Sequence, residues 1–225
     1  ERFLGDLAIE KGWQFNKPRK YSHQRILVIG AGPSGLSAAY HLARLGHNVS
    51  IYEAGPVAGG MMNFGIPAYR LPRKVLQAEI KRIENMGVEI RLNYKVTDVL
   101  AEKDAGGFDA VFIAIGAHIG KKTAIPAREA GKILDAVSFL KDVELGNAPQ
   151  IGRRVAIYGG GNTAMDAART AKRLGAEEAL IIYRRDREHM PAHDFEADEA
   201  LSEGVKIHWL RTIKNIDSAS MTVEK

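Results

Sequence analysis

A strand, a glycine turn, a helix and a second strand occur twice in this chain of 225 residues. No other feature limits the possible folds as much. In the first copy Ile26-Leu27-Val28-Ile29 runs into Gly30-Ala31-Gly32-Pro33-Ser34-Gly35. A short apolar run closed by glycines reads as a buried strand entering a turn. Gly30 permits the bend, Gly32 permits close approach of the backbone to a diphosphate, and Gly35 lets the next helix pack on the strand. The spacing predicts that helix over about 36–45, stopped by Gly46, and a strand from Val49 to Tyr52 that delivers Glu53, 18 residues past Gly35. Unpaired N–H groups and the helix dipole favour a diphosphate at the turn, and the acid can accept a bond from a ribose hydroxyl.

The second copy reads Val155-Ala-Ile-Tyr-Gly159-Gly160-Gly161-Asn162-Thr163-Ala164, with Ala in place of the third glycine. Arg-Leu-Gly closes both helices, at 44–46 and 173–175. At the end of the second strand the first copy presents Glu53, whereas the second presents Arg184, followed by Arg185 and Arg187. An acid suits a free 2′-hydroxyl, and guanidinium groups suit a 2′-phosphate. The first unit is thus expected to take FAD or NAD and the second NADP, which implies electron transfer between two cofactors. The expected fold class is α/β, with two Rossmann-like dinucleotide-binding units in an arrangement of the glutathione/thioredoxin-reductase kind and the second unit incomplete. Expected domains are 1–24 (an N-terminal helix and linker ending a preceding domain), 25–120 (FAD-binding), 121–153 (connecting) and 154–225 (NADPH-binding, truncated).

Composition excludes several classes. There is no cysteine, hence no disulfide, no thiolate iron–sulfur ligation and no redox thiol pair in this chain. A disulfide reductase of the thioredoxin-reductase type shares the two-nucleotide plan but needs such a pair. No apolar run approaches the length of a membrane span, and a cytoplasmic location is the expectation. The net charge of +5 invites a nucleic-acid reading, but the basic residues are scattered without interleaved aromatics. His189 and His193 stand four apart among Glu188, Asp194 and Glu196, a spacing that a helical metal site would use; Pro191 between them argues against a regular helix. No metal site, catalytic acid, base or nucleophile is nominated.

Residues 1–13 read as a short helix with Phe3, Leu4, Leu7 and Ala8 on one face. The loop from Ala54 to Pro72, rich in glycine and proline, is placed to line a cofactor: small residues such as Gly60 permit close approach to a flat ring, Arg70 is placed to hold a phosphate, and Met61 and Met62 fit plain packing equally well. Further expectations are a helix over 73–86, a strand over 88–96, and a buried strand from Phe108 to Ile115 ending at Gly116 on the ligand edge of the sheet. In the second half, helices are expected at 136–143 and 195–202 and a strand at 205–209.

These motifs together resemble the small (beta) subunit of bacterial glutamate synthase. They include Gly30-Ala-Gly-Pro-Ser-Gly-Leu, the run from Gly59 to Pro72, Gly159 to Asp166, and Tyr183-Arg-Arg-Asp-Arg-Glu-His-Met-Pro191. The same flavin–NADPH module is found in dihydropyrimidine dehydrogenase, and the resemblance covers residues 1 to about 216. It implies FAD at Gly30, Gly32, Pro33, Ser34, Gly35, Glu53, Met61, Arg70 and Val96. NADPH is implied at Gly160, Gly161, Asn162, Thr163, Arg184, Arg185 and Arg187. It implies hydride transfer from NADPH to FAD and electron passage to iron–sulfur centres or a larger partner subunit outside this chain, with no nucleic acid and no membrane insertion. In the family the chain returns after the NADPH unit to close the flavin site, and an iron–sulfur domain precedes residues 1–13; both are expected beyond this stretch. The rival readings are a non-catalytic nucleotide-binding and assembly module and a single-cofactor NAD dehydrogenase.

Overall fold

The structure is a computed structural model, and it describes residues 2–117, 132–217 and 220–225. The chain divides into two units, Glu1–His118 and Ile119–Lys225, each taken in turn.

The first unit runs α1 (Arg2–Glu10), β1 (Arg25–Ile29), α2 (Pro33–Arg44), β2 (Asn48–Tyr52), α3 (Met61–Phe64), α4 (Arg73–Glu84), β3 (Glu89–Arg91), α5 (Val99–Ala105) and β4 (Ala110–Ile113). Its sheet is parallel in the order β3-β2-β1-β4. Val28, Val49 and Ile51 pack with Leu36, Ala39 and Ala43 of α2 on one face, while Leu27, Ile29 and Phe108 form the core of the other. Alternate residues of β1 therefore serve opposite faces, as a central strand covered on both sides requires.

The second unit runs α6 (Ala136–Glu144), β5 (Arg154–Tyr158), α7 (Asn162–Arg173), β6 (Glu178–Tyr183), α8 (Asp194–Ser202), β7 (Lys206–Trp209), β8 (Thr212–Ile216) and β9 (Met221–Glu224). Strands β5, β6 and β7 are parallel in that order, and β8 with β9 forms an antiparallel hairpin. Ala179, Ile181 and Tyr183 face the α7–α8 side, and Leu180 and Ile182 face Ile213, Met221 and Val223 of the hairpin.

Several elements differ from their sequence-based expectation. The strand expected over 88–96 is only β3, because Asn93 takes φ +55 and the chain leaves the ladder. Phe112 and Ile113 are 42% and 58% exposed, so β4 is an edge strand among the described residues and not a buried one. In α1 only Ala8 is buried, and Phe3 and Leu4 face solvent. Helix α6, expected in a connecting region, packs Phe139 and Leu140 on Ala167 and Ala171 of α7. Two elements lie outside the sequence-based expectations: α5, capped by the Asp98 carboxylate on the Leu100 and Ala101 N–H groups, and the β8–β9 hairpin.

Candidate functional site: two glycine turns

In the first turn Gly30 follows β1 at φ +105, and its N–H donates to the Tyr52 carbonyl (2.8 Å). A side chain there would strike the Ala114 carbonyl, so the turn needs glycine on two counts. Gly35 is packed against the Gly30 carbonyl and Val28. Gly32 is different. It caps the N-terminus of α2 at an ordinary φ of −76, and a Cβ built on it meets nothing within 4 Å. No side chain caps that helix end, and Pro33 stands in its first turn. Nothing in the described fold requires glycine at 32, whereas close approach by a ligand does.

Glu53 reaches this turn. Its Oε2 accepts the Ala31 N–H (2.8 Å) and its Oε1 the Gly55 N–H (2.7 Å). A carboxylate has about four lone-pair sites, so acceptor capacity remains for a ribose hydroxyl. The backbone of Glu53 is fixed as firmly: its N–H donates to Arg91 O (2.9 Å), its carbonyl accepts from Tyr94 N (2.8 Å), and the Asn93 N–H donates to Gly55 O (2.9 Å). The bend at Asn93 that cuts β3 short thus holds the acid. The sequence offered no signal for that role of Asn93.

The Gly/Pro-rich loop folds back on the same turn. The Gly59 N–H donates to Ala31 O (2.8 Å), and a Cβ on Gly60, which has φ +53, would lie 2.8 Å from Gly32 Cα. Met61 begins α3 beside it, half-buried. Arg70 is half-buried, with its N–H on Pro67 O (3.0 Å). Val96 packs against the core of Leu27, Ile29 and Phe108. Gly116, at φ +66, follows β4 on the sheet edge that carries Gly30. Pro33 and Ser34 are exposed at the helix end.

The second turn repeats the plan. Gly159 donates its N–H to Ile182 O (3.1 Å), Gly161 caps α7 at φ −91 without a side-chain cap, and a Cβ on Gly161 again meets nothing within 4 Å. Asn162 and Thr163 open the helix. The Asn162 Oδ1 accepts the His193 N–H (3.2 Å), and the Ala192 N–H donates to Gly160 O (3.0 Å), so the segment 184–193 returns to the turn at its last two residues. That segment lines an open cleft of about 610 Å³ with Arg187, Met190, Pro191 and His193 among its walls.

The three arginines separate. Arg184 and Arg185 are exposed, and neither side chain has an ion pair or hydrogen bond among the described residues. Arg187 is bound to Asp198 (2.6 Å) and Asp194 (3.7 Å) of α8, and Asp198 raises its pKa further. His189 pairs its Nδ1 with Asp186 (2.6 Å), whose pKa that bond lowers. The His193 ring stacks on Phe195. Among the described residues no three His, Cys, Asp or Glu side chains gather as a metal site would need, and no helix is long and apolar enough to cross a membrane.

A family model described as pyridine nucleotide-disulphide oxidoreductase matches residues 24–225. The beta subunit of an NADP(+)-dependent formate dehydrogenase from Moorella thermoacetica is 48% identical over 84% of this chain and 27% of its own length. A putative glutamate synthase [NADPH] small chain from Cereibacter sphaeroides is 36% identical over 93% of this chain and 54% of its own. Among solved structures, a 2-naphthoyl-CoA reductase complex superposes with a TM-score of 0.70 at 23% identity, over 93% of this chain and 31% of that one. The chain therefore spans between about a quarter and about a half of the curated relatives it matches.

Proposed function

The chain belongs to the pyridine nucleotide-disulphide oxidoreductase family, and we propose that its first unit holds FAD and its second NADPH within a larger electron-transfer enzyme of the glutamate synthase small-subunit type. When bound, these groups supply hydride transfer from nicotinamide C4 to flavin N5 and onward delivery of electrons to iron–sulfur centres or a partner subunit. The chain's own residues bind and orient. The observation that carries the reading is the pair Gly32 and Gly161, glycines that the described fold does not require and that stand at two uncapped helix ends. Each would let a pyrophosphate sit on backbone N–H groups.

Around the first turn, the Glu53 carboxylate supplies the acceptor for a ribose hydroxyl, and the loop through Gly60, Met61 and Arg70 supplies the wall for a ring and a phosphate. Around the second, Gly160, Gly161, Asn162 and Thr163 offer the diphosphate cradle, and Arg184 and Arg185 the free cations for a 2′-phosphate. Arg187, occupied by α8, shapes the segment. With no cysteine present, the disulphide half of the family's chemistry is not served by this chain. The boundaries 25–120 and 154–225 are the proposed cofactor domains, with Val96 and Gly116 on the flavin side.

Cofactor release and single-site variants test this. Full-length protein heated to release its ligands should yield FAD near one per chain. Gly32→Ala should lose flavin and keep NADP+ binding, and Gly161→Ala should do the reverse. Loss of both ligands in either folded variant would contradict two separate sites.

A further inference from the structure

Tyr183 answers to Glu53, and Arg184 stands one residue beyond that place. In the first unit the Gly30 N–H donates to the carbonyl of Tyr52, and Glu53 follows; in the second, Gly159 donates to Ile182, and Tyr183 follows. Both side chains meet the middle residue of the glycine turn. Glu53 takes the Ala31 N–H with its carboxylate. The Tyr183 ring fills the corresponding ground over Gly160, where an added Cβ would lie 2.5 Å from its Cδ2 and Cε2. This explains why the middle residue is alanine in the first turn and glycine in the second.

The ring is buried, lies edge-on to Trp209, and its hydroxyl donates to the His189 carbonyl (2.8 Å). One side chain thereby ties the phosphate-binding turn to the segment that carries Arg184 and Arg185. The Arg185 carbonyl in turn accepts the Leu210 N–H (3.1 Å), and the Tyr183 carbonyl accepts the Arg211 N–H (3.0 Å), which fixes the start of that segment.

We propose that Tyr183 determines nucleotide specificity at the second site, as a neutral replacement for the acid and as the tether that positions the two free arginines. A carboxylate at this place would bond a 2′-hydroxyl and repel a 2′-phosphate. A buried phenol does neither, and its hydroxyl pins the segment that carries the cations. This rests on the reading that the second unit takes NADP(H).

The test is calorimetric titration of the full-length protein with NADP+ and with NAD+. Wild-type protein that shows no preference for NADP+ would refute the underlying reading and is seen before any variant is made. Given that preference, Tyr183→Phe keeps the ring and cuts the tether, so NADP+ binding should weaken about three- to tenfold with NAD+ within twofold. Tyr183→Glu should reduce the preference by about a hundredfold or more. Melting temperatures identify a variant that fails to fold. A preference within twofold of wild type in Tyr183→Phe overturns the proposal, even where Tyr183→Glu cannot be purified.

Discussion

Glycines in the two turns do different work, and substitution should separate them. Gly35 has the Gly30 carbonyl and Val28 against it, so Gly35→Ala should destabilise the first unit by about 1–3 kcal/mol through overpacking. Gly32→Ala adds its methyl to open space at a permitted φ, so its melting temperature should stay within about 2 °C while FAD affinity falls at least tenfold. Thermal melts with and without added FAD distinguish the two. Among the arginines, Arg184→Ala combined with Arg185→Ala should weaken NADP+ by about a hundredfold and leave NAD+ nearly unchanged, since charge-assisted bonds to a phosphate are lost and no packing is. Arg187→Ala should release Asp198 and Asp194 with little change in melting temperature, since both pairs are solvent-exposed. The glycine pattern and the arginine run were legible in the sequence. Tyr183 and Asn93 were not, because their roles come from what a ring fills and from which carbonyl a bend leaves free.

Between elements, α7 and α8 are joined by a partly buried charge network. Arg169, with a side chain only 6% exposed, bonds Glu199 (2.7 Å) and Glu203 (2.6 Å), and Arg173 also grips Glu203. Replacing Arg169 by Met should cost about 1–2 kcal/mol, because Glu199 is half-exposed and Glu203 keeps its bond from Arg173. Hydrogen bonds from Arg173 and then Arg169 lower the Glu203 pKa to about 2, and bonds from Lys206 and then Arg154 do the same for Glu178. Both folded values lie below the usual glutamate value near 4.3. Their contribution is therefore complete above that value and is lost as the pH falls toward about 2. Glu203→Gln should flatten the acid limb of the stability–pH curve between about pH 4.5 and 2, with little change in its slope at neutral pH. The elements themselves were readable where periodicity and stops agreed, as in α2, α4, α7 and α8. Strand β3 was overestimated because the apolar alternation of Val88, Ile90 and Leu92 continues past the point where backbone bonds turn to Glu53 and Gly55. The hairpin β8–β9 gave no signal because its strands are short and polar on alternate positions, and its apolar face is covered by Leu180, Ile182 and Tyr158 of the parallel sheet.

At the scale of the whole molecule, one plan is used twice with opposite electrostatics. The first unit places an acid beside its turn; the second places a neutral ring there and, after it, two guanidinium groups without an ion pair among the described residues. Duplication of the fingerprint made this division visible in the sequence, and the resemblance to glutamate synthase small subunits gave it a direction. The direct measurement is the visible absorption spectrum of the full-length protein, taken without oxygen before and after addition of NADPH. The account predicts a flavin band that bleaches with about one equivalent of NADPH and much less readily with NADH. A protein that binds NADPH but shows no flavin band, even after incubation with FAD, would contradict it and leave a nucleotide-binding assembly module in its place.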